Sequence, residues 1–345
     1  IKRQKPSVFA ENHRVMTTDV SPFPGKFSFK RTPYFKEILD TLDPSHPARV
    51  VTLMKGAQLG ASTNVIENAI AWIISENPGN ILFIVGHPDL VPKAMQKVDN
   101  VIDTTGLRRM IRTNALRSKS QKTGDTNTSK EFPGGSLLLT SAGNHKALRQ
   151  ISMRYGFVDD FEALKGSTKE SGDTSGMIEQ RFAAYHDKMK LYYISTPEVK
   201  QTSNIEPSFL AGDQRYYYVP CPCCHEYITI QWEVEEDEKK KGGITWKLDG
   251  KGNLIDDSVG YLCQNCNGFF KDTHKYKMNL EGEWRPTAVP KARDHASYHI
   301  SSLYAAPGMY DWHHYVKQWL AAHPSGEPVI QTKLQTFYNA VLGQT

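Results

Sequence analysis

Residues 50–63 read VVTLMKGAQLGAST. An apolar, β-branched run turns through small residues and enters a helical pattern over 64–76, with Val65, Ile66, Ala69, Ile70, Ile73 and Ile74 on its apolar positions. Strand, glycine turn and helix together present backbone N–H groups and a helix N-terminus to phosphates. The usual signature of such a loop is G-x-x-x-x-G-K-[ST]. Here the turn runs Lys55-Gly56-Ala57-Gln58-Leu59-Gly60-Ala61-Ser62. Gly60 and Ser62 keep their places, Ala61 stands where the lysine is usual, and a lysine occurs instead at the front edge, Lys55. The predicted phosphate contacts are therefore Lys55, Gly56, Gln58, Gly60, Ala61, Ser62 and Thr63. Taken alone, the same residues also read as an ordinary strand-to-helix turn.

The flanking chain decides the fold class. Residues 80–86, NILFIVG, form a second buried strand, broken by His87-Pro88 and followed by a helix to about 104. Residues 136–141 and 191–194 are further apolar runs, and a helix is predicted over 174–189. Near-continuous apolar strands alternating with helices specify an α/β fold, a mainly parallel sheet with helices on both faces. Residues 154–162, RYGFVDDFE, end such a strand in carboxylates. A carboxylate there, beside a phosphate loop, is where a nucleotide-bound Mg²⁺ is held. Asp159 is the predicted Mg²⁺ residue together with Ser62. Asp160 is the predicted orienter of the attacking water, with Glu162 as a substitute. Ser195-Thr196-Pro197 follows the 191–194 strand with hydroxyls that can meet a phosphate or its water.

All five cysteines lie between 221 and 266, in two groups, CPCC at 221–224 and CQNC at 263–266. Two C-x-x-C pairs are the ligand set of a zinc ribbon. Cys221, Cys224, Cys263 and Cys266 are the predicted Zn²⁺ ligands, with His225 and His274 as alternatives ranked below them, and Cys223 is a spectator. The gap between the pairs exceeds the usual spacing. An inserted charged hairpin over 234–257 accounts for it, and pairing of the Tyr218 and Tyr261 strands is expected to bring the two turns together.

The net charge of +5 over 345 residues is compatible with a polyanion and does not require one. The stretch 107–122 carries Arg108, Arg109, Arg112, Arg117, Lys119 and Lys122 without an acid. It reads either as a solvated face or as a nucleic-acid contact. No apolar run reaches membrane-spanning length. The expected layout is an N-terminal arm (1–30), an ATPase core (31–214), a zinc-ribbon-like module (215–285) and C-terminal strand and helices (286–345).

The motifs together resemble the ATPase part of the lambda-type phage terminase large subunit. The resemblance spans about 27–345. Its markers are Arg31-Thr-Pro-Tyr34, the 55–62 loop, Phe132-Pro-Gly-Gly-Ser136, Ala147-Leu-Arg149, Arg154-Tyr155, Asp159-Asp160, Ser195-Thr-Pro197, Gly212-Asp-Gln-Arg215, Tyr218-Val-Pro-Cys221-Pro, Gly282-Glu-Trp284-Arg and Tyr338-Asn-Ala-Val-Leu-Gly343. It implies a RecA-like ATPase core and ATP-driven packaging of double-stranded DNA into a procapsid. It also implies a terminase small subunit and a portal protein as partners, an assembled ring, and the host cell cytoplasm. Lambda-type members can carry the lysine at the front of the loop, as Lys55 does. In the motor reading Thr196 links phosphate state to movement, Tyr34 is a candidate adenine contact, and Arg149 is the first choice for charge stabilisation, in cis or from a neighbouring subunit. Family members carry a nuclease domain after this region, and the chain ends where that linker is expected to begin. The second acidic position is usually Glu, so Asp160 is a departure. Two other readings share these residues: a helicase-like ATPase, and a zinc-ribbon DNA-binding protein on a degenerate phosphate-loop fold.

Overall fold

The computed structural model describes residues 3–19, 21–112, 125–144, 152–164, 174–236 and 239–345. The strands in chain order are β1 (Val15–Met16), β2 (Gly25–Lys26), β3 (Val50–Lys55), β4 (Ile81–Val85), β5 (Ser129–Phe132), β6 (Gly135–Ser141), β7 (Tyr155–Asp159), β8 (Lys190–Ser195), β9 (Arg215–Pro220), β10 (Tyr227–Ile228), β11 (Glu233–Glu236), β12 (Lys239–Thr245), β13 (Gly260–Leu262), β14 (Phe269–Phe270), β15 (Glu283–Pro286) and β16 (His295–Ile300). The α-helices are α1 (Pro6–His13), α2 (Tyr34–Asp40), α3 (Asn68–Glu76), α4 (Val91–Thr104), α5 (Thr174–Gln180), α6 (Ile205–Ala211), α7 (Lys275–Leu280), α8 (Trp312–Ala322) and α9 (Gln331–Thr336).

Ten strands make one sheet in the order β10-β9-β16-β3-β8-β7-β4-β6-β5, with β15 also paired to β9. The central run from β9 to β6 is parallel throughout, and the antiparallel pairs are confined to β5, β10 and β15 at the margins. The parallel strands read as continuous apolar runs because both faces are covered. β4 is buried along its whole length. The loop-bearing strand β3 is separated from the carboxylate-bearing strand β7 by β8 alone.

The helix after the loop begins at Ser62 with wide π turns (Ser62–Glu67) and continues as α3. Residues 68–74 are buried on every side. Each such aliphatic side chain contributes about 1.5–3 kcal/mol. The all-round burial has a cause in the segment expected as an arm. Helix α1 lies over α3, Phe9 and Ala10 are buried, and Trp72 Nε1 donates to the Gln4 carbonyl at 2.8 Å. Arg14 is buried, pairs with Glu67, and donates to Thr63 O and Asn68 Oδ1 at 2.7 Å each. The N-terminal segment thus clamps the start of the loop helix.

Two expected boundaries shift. Strands β9 and β15 belong to the large sheet, so the break expected at 215 falls inside it. A separate four-stranded sheet holds β11-β12-β13-β14, with the charged excursion forming the β11–β12 hairpin. The Tyr218 and Tyr261 strands do not pair. Tyr218 faces Glu283 on β15, and Tyr261 lies between Ile244 and Phe270. The helix expected over 174–189 ends early, as α5 and one 3-10 turn (Ala183–Tyr185).

Candidate nucleotide site and cysteine centre

The 55–62 turn is shaped by two residues in the left-handed region, Gln58 at φ 57° and Gly60 at φ 83°. Glycine takes this conformation without a Cβ penalty. Gly60 O accepts from Asn64 N at 2.9 Å and from Asn64 Nδ2 at 2.8 Å, which fixes the turn against the helix it feeds. Gly56 must be glycine for a different reason: a Cβ there would meet Ser302 Oγ and Val341 O. The helix from Ser62 leaves its first-turn N–H groups without intrahelical acceptors, facing the loop. Ala61 is buried in the apolar core, so its side chain is packing.

Ser62 and Asp159 come together as expected. Ser62 Oγ donates to Asp159 Oδ2 at 2.6 Å. Burial pushes the Asp159 carboxyl above its ordinary value, opposed by the Ser62 hydrogen bond and by the Lys55 and Lys97 ammoniums. Burial also pulls Lys55 down, opposed by Asp159 and then Asp160. Lys55 therefore sits in the field of both aspartates. Partial burial raises Asp160, as do the carboxylates of Asp159, Glu198 and Glu162. Asp160 takes φ 70°, ψ 63°. Asp and Asn are enriched among non-glycine residues there, which is a physical reason for Asp rather than Glu. Its carboxylate packs so closely on Gly86 that a Cβ at that position would collide with it.

The surrounding cavity, about 270 Å³, is lined by Ser62, Glu67, Asp159 and Asp160, and by Lys93 and Lys97 from α4. The two lysines were not legible as site residues. Their i, i+4 spacing places them on one helix face, but only the packing of α4 brings that face to the carboxylates. Ser195, whose hydroxyl the sequence offered together with Thr196, lies at the strand end beside Asp160. Its Oγ lies 3.5 Å from Asp160 Oδ1 and accepts from Glu162 N at 3.3 Å. Thr196, the adjacent residue, is partly buried, and its carbonyl accepts from Ser195 Oγ at 3.2 Å.

Three sequence-based assignments meet surroundings that the sequence did not show. Tyr34 is fully buried, edge-on to Phe35 and Tyr217, so its ring has no face open to a base. Glu162 is also buried. It accepts from Ser203 Oγ (2.6 Å), Asn204 N (2.8 Å) and Ile205 N (3.1 Å), and so caps the start of α6. A carboxylate held this way cannot substitute for Asp160. Arg108 is neutralised within the fold, bonded to Asp103 at 2.6 Å and to Asp99 at 2.8 Å. Arg109 and Arg112 are exposed. Arg117, Lys119, Lys122 and Arg149 lie outside the described residues.

The Sγ atoms of Cys221, Cys224, Cys263 and Cys266 all lie within 4.8 Å of one another. Four thiolates on one tetrahedral Zn²⁺ at 2.3 Å would be about 3.8 Å apart, so the group fits the ion. The two turns also repeat each other. Cys221 N donates to Glu226 O (2.9 Å) as Cys263 N does to Gly268 O (3.0 Å). His225 N bonds Cys221 O as Asn267 N bonds Cys263 O, both at 2.9 Å. His225 and Asn267 share left-handed φ values of 64° and 55°. Cys223 N and Asn265 N each donate to the first sulfur of their turn at 3.4 Å. N–H groups aimed at sulfur favour the thiolate that a metal requires. The four-cysteine cluster could thus hold zinc. Tyr261 joins the two halves, with its hydroxyl bonded to Thr229 O (3.1 Å) and Gln231 N (3.4 Å).

A family model described as phage terminase large subunit gpA, ATPase domain, matches residues 21–284. Among solved structures, the chain is similar to the large terminase ATPase domain of Thermus phage P74-26, at 13% identity and TM-score 0.46, covering 91% of this chain and 98% of that one. It is also similar to the large terminase of bacteriophage HK97, at 13% identity and TM-score 0.41, covering 56% of this chain and 37% of that one. No curated protein matches the chain.

Proposed function

This chain belongs to the family of phage terminase large subunit gpA ATPase domains, and from that premise we propose that it is the ATP-hydrolysing motor part of a packaging machine that drives double-stranded DNA into a procapsid. The observation that carries the reading is the Ser62–Asp159 hydrogen bond, made beside Lys55 at the mouth of the loop. A serine opening the loop helix and an aspartate ending a neighbouring parallel strand are the two protein groups that Mg²⁺–ATP needs. The single strand between β3 and β7 supports a RecA-like core of the additional-strand type.

In this reading the loop residues Gly56, Gln58, Gly60, Ala61, Ser62 and Thr63 cradle the phosphates, and Lys55 neutralises charge on them. Mg²⁺ held by Ser62 and Asp159 would draw charge from the β- and γ-phosphate oxygens. Asp160, steadied by Gly86 and Ser195, accepts a hydrogen bond from the attacking water. Thr196 couples the site to movement. Arg149 stabilises developing charge, from this chain or a neighbour in a ring. Duplex DNA, a small subunit and a portal protein are the partners, and the host cytoplasm is the setting. Among the described residues no helix is long and apolar enough to cross a membrane. The deciding experiment is ATP turnover with and without duplex DNA. DNA-stimulated turnover is expected, and its absence in a nucleotide-binding, folded protein would overturn the motor reading.

A further inference from the structure

With Tyr34 sealed in the core, the base of the nucleotide needs another home. Strand order says on which side to look. The metal-side groups, Asp159 and Asp160, lie beyond β8, on one flank of β3. A nucleotide whose phosphates lie over 56–63 and face Asp159 must extend its base toward the opposite flank, where β16 is paired to β3. Just past the end of β16, at Ser302, a cavity of about 380 Å³ opens against the loop itself, with Ala57 and Gln58 in its wall. The remaining wall comes from Tyr310 just before α8, from Tyr315 and Gln318 on α8, from α9 with Lys333, and from Phe337 and Ala340 of the C-terminal turn. This wall is fixed to the loop: Ala57 N donates to Ala340 O at 2.6 Å, and Ser302 Oγ donates to Ala57 O at 3.0 Å.

We propose that this cavity between the phosphate loop and α8 is the adenine subsite, with Tyr310 as its stacking platform and Gln318 as its selective contact. The inference rests on the ATPase reading above. The Tyr310 ring is 57% exposed yet held flat, parallel to His314 at 3.7 Å and 3°. An exposed, pre-ordered ring beside an apolar cleft suits a purine, because base stacking on an aromatic side chain is favourable for any π-face. Gln318 supplies selectivity. Its Nε2 is 2.9 Å from His314 Nε2. With one amide N–H directed at His314, Oε1 and the second N–H are the groups that face the base. A glutamine acceptor matches the N6 amine of adenine and opposes the O6 of guanine.

The test is competitive displacement of a fluorescent ATP analogue by Mg²⁺–ATP, Mg²⁺–GTP and Mg²⁺–tripolyphosphate, the last having phosphates and no base. The wild-type chain should hold ATP more tightly than GTP or tripolyphosphate. Tyr310→Ala should weaken ATP by about tenfold and leave tripolyphosphate unchanged. Gln318→Ala should narrow the gap between ATP and GTP, again without moving tripolyphosphate. Both side chains are exposed, so neither change removes core packing. Unaltered ATP affinity in Tyr310→Ala, or equal weakening of ATP and tripolyphosphate, would overturn the subsite. Wild-type binding of tripolyphosphate as tight as ATP would overturn it too while sparing the phosphate site. Failure of the wild type to bind any of the three overturns the ATPase reading itself.

Discussion

Ser62 and Asp159, 97 residues apart in the chain, meet through a 2.6 Å hydrogen bond at the C-terminal edge of the sheet. The contact exists because β3 and β7 flank the same strand, β8, in parallel register. Met54 pairs with Ser195, and Asp159 with Ile194. Replacing Asp159 by Ala should abolish turnover together with its Mg²⁺ dependence. A variant still stimulated by Mg²⁺ as the wild type is would show that another carboxylate holds the ion.

Burial sets the pH behaviour of that pair. The Asp159 carboxyl is pushed up in the fold by desolvation. Its folded-state pKa therefore exceeds its unfolded value. Its contribution to the stability of the ligand-free chain is fully present below the unfolded pKa and is lost as pH rises through the folded one. Mg²⁺ binds the ionised carboxylate, so added Mg²⁺–nucleotide should raise the melting temperature more as pH climbs through that raised pKa. Asp159→Asn should flatten the dependence. A melting-temperature gain that is flat with pH in the wild type would contradict the assignment.

Lys55 is the only lysine of the 55–62 turn, and burial already weakens its hold on a proton. Bound phosphate would restore it. Lys55→Ala should weaken nucleotide binding and lower turnover by at least about a hundredfold, read by steady-state ATPase assay. Activity within a few-fold of wild type would remove Lys55 from the site.

Asp160 and Gly86 form a coupled pair. Asp160→Asn keeps a residue suited to the left-handed conformation while removing the charge, so the chain should fold normally and turn over poorly. Gly86→Ala places a methyl group against the Asp160 carboxylate and should also depress kcat while leaving ATP binding near its wild-type value. By contrast, Glu162→Gln should destabilise the α6 cap by about 1–3 kcal/mol without changing the shape of the kcat–pH profile. If Glu162→Gln shifts that profile and Asp160→Asn does not, the two roles are reversed.

The uneven legibility of the site follows from what kind of constraint each residue obeys. Ser62, Asp159 and the cysteine pairs were readable because their spacing is local and their chemistry is distinctive. The order of the parallel strands was not, because which strands become neighbours is decided by long-range packing. That order is what places Ser302 and the C-terminal turn against Ala57. Tyr34 is hard to place for a related reason: a tyrosine in a marker motif looks the same whether its ring meets a ligand or the core. Arg108 likewise reads as a free cation until Asp99 and Asp103 on α4 are seen beside it.

The partition of that basic stretch gives a measurable contrast. Arg109 and Arg112 are exposed, whereas Arg108 is engaged by carboxylates. If the stretch contacts duplex DNA, changing Arg109 and Arg112 to Ala should weaken binding to all sequences alike and flatten the salt dependence, since each lost phosphate contact lowers the slope by about one. Arg108→Ala should mainly lower stability. An unchanged salt slope in the Arg109/Arg112 variant would place the DNA elsewhere.

The cysteine centre yields the last prediction. The two turns match in their Cys221–Glu226 and Cys263–Gly268 closures, in their left-handed fifth positions, His225 and Asn267, and in their N–H···S contacts. They bring four sulfurs within 4.8 Å. Four thiols packed this closely without a metal would gain little, because each is a weak donor and a weak acceptor. Four thiolates around Zn²⁺ complete a tetrahedron and leave no position for substrate, so the ion would be structural. Purified chain should carry one zinc. Changing Cys263 and Cys266 together to Ser should release it and loosen the β11–β14 sheet, read as faster hydrogen exchange there than in the ten-stranded sheet. ATP binding should persist, since the zinc turns and the 55–62 loop sit on different elements. Cys223→Ser should keep the metal, because Cys223 lies over Gly268 and outside the four-sulfur group. A well-folded, zinc-free wild-type preparation, unaltered by added Zn²⁺, would show that the repeated turns are packing and not a metal site.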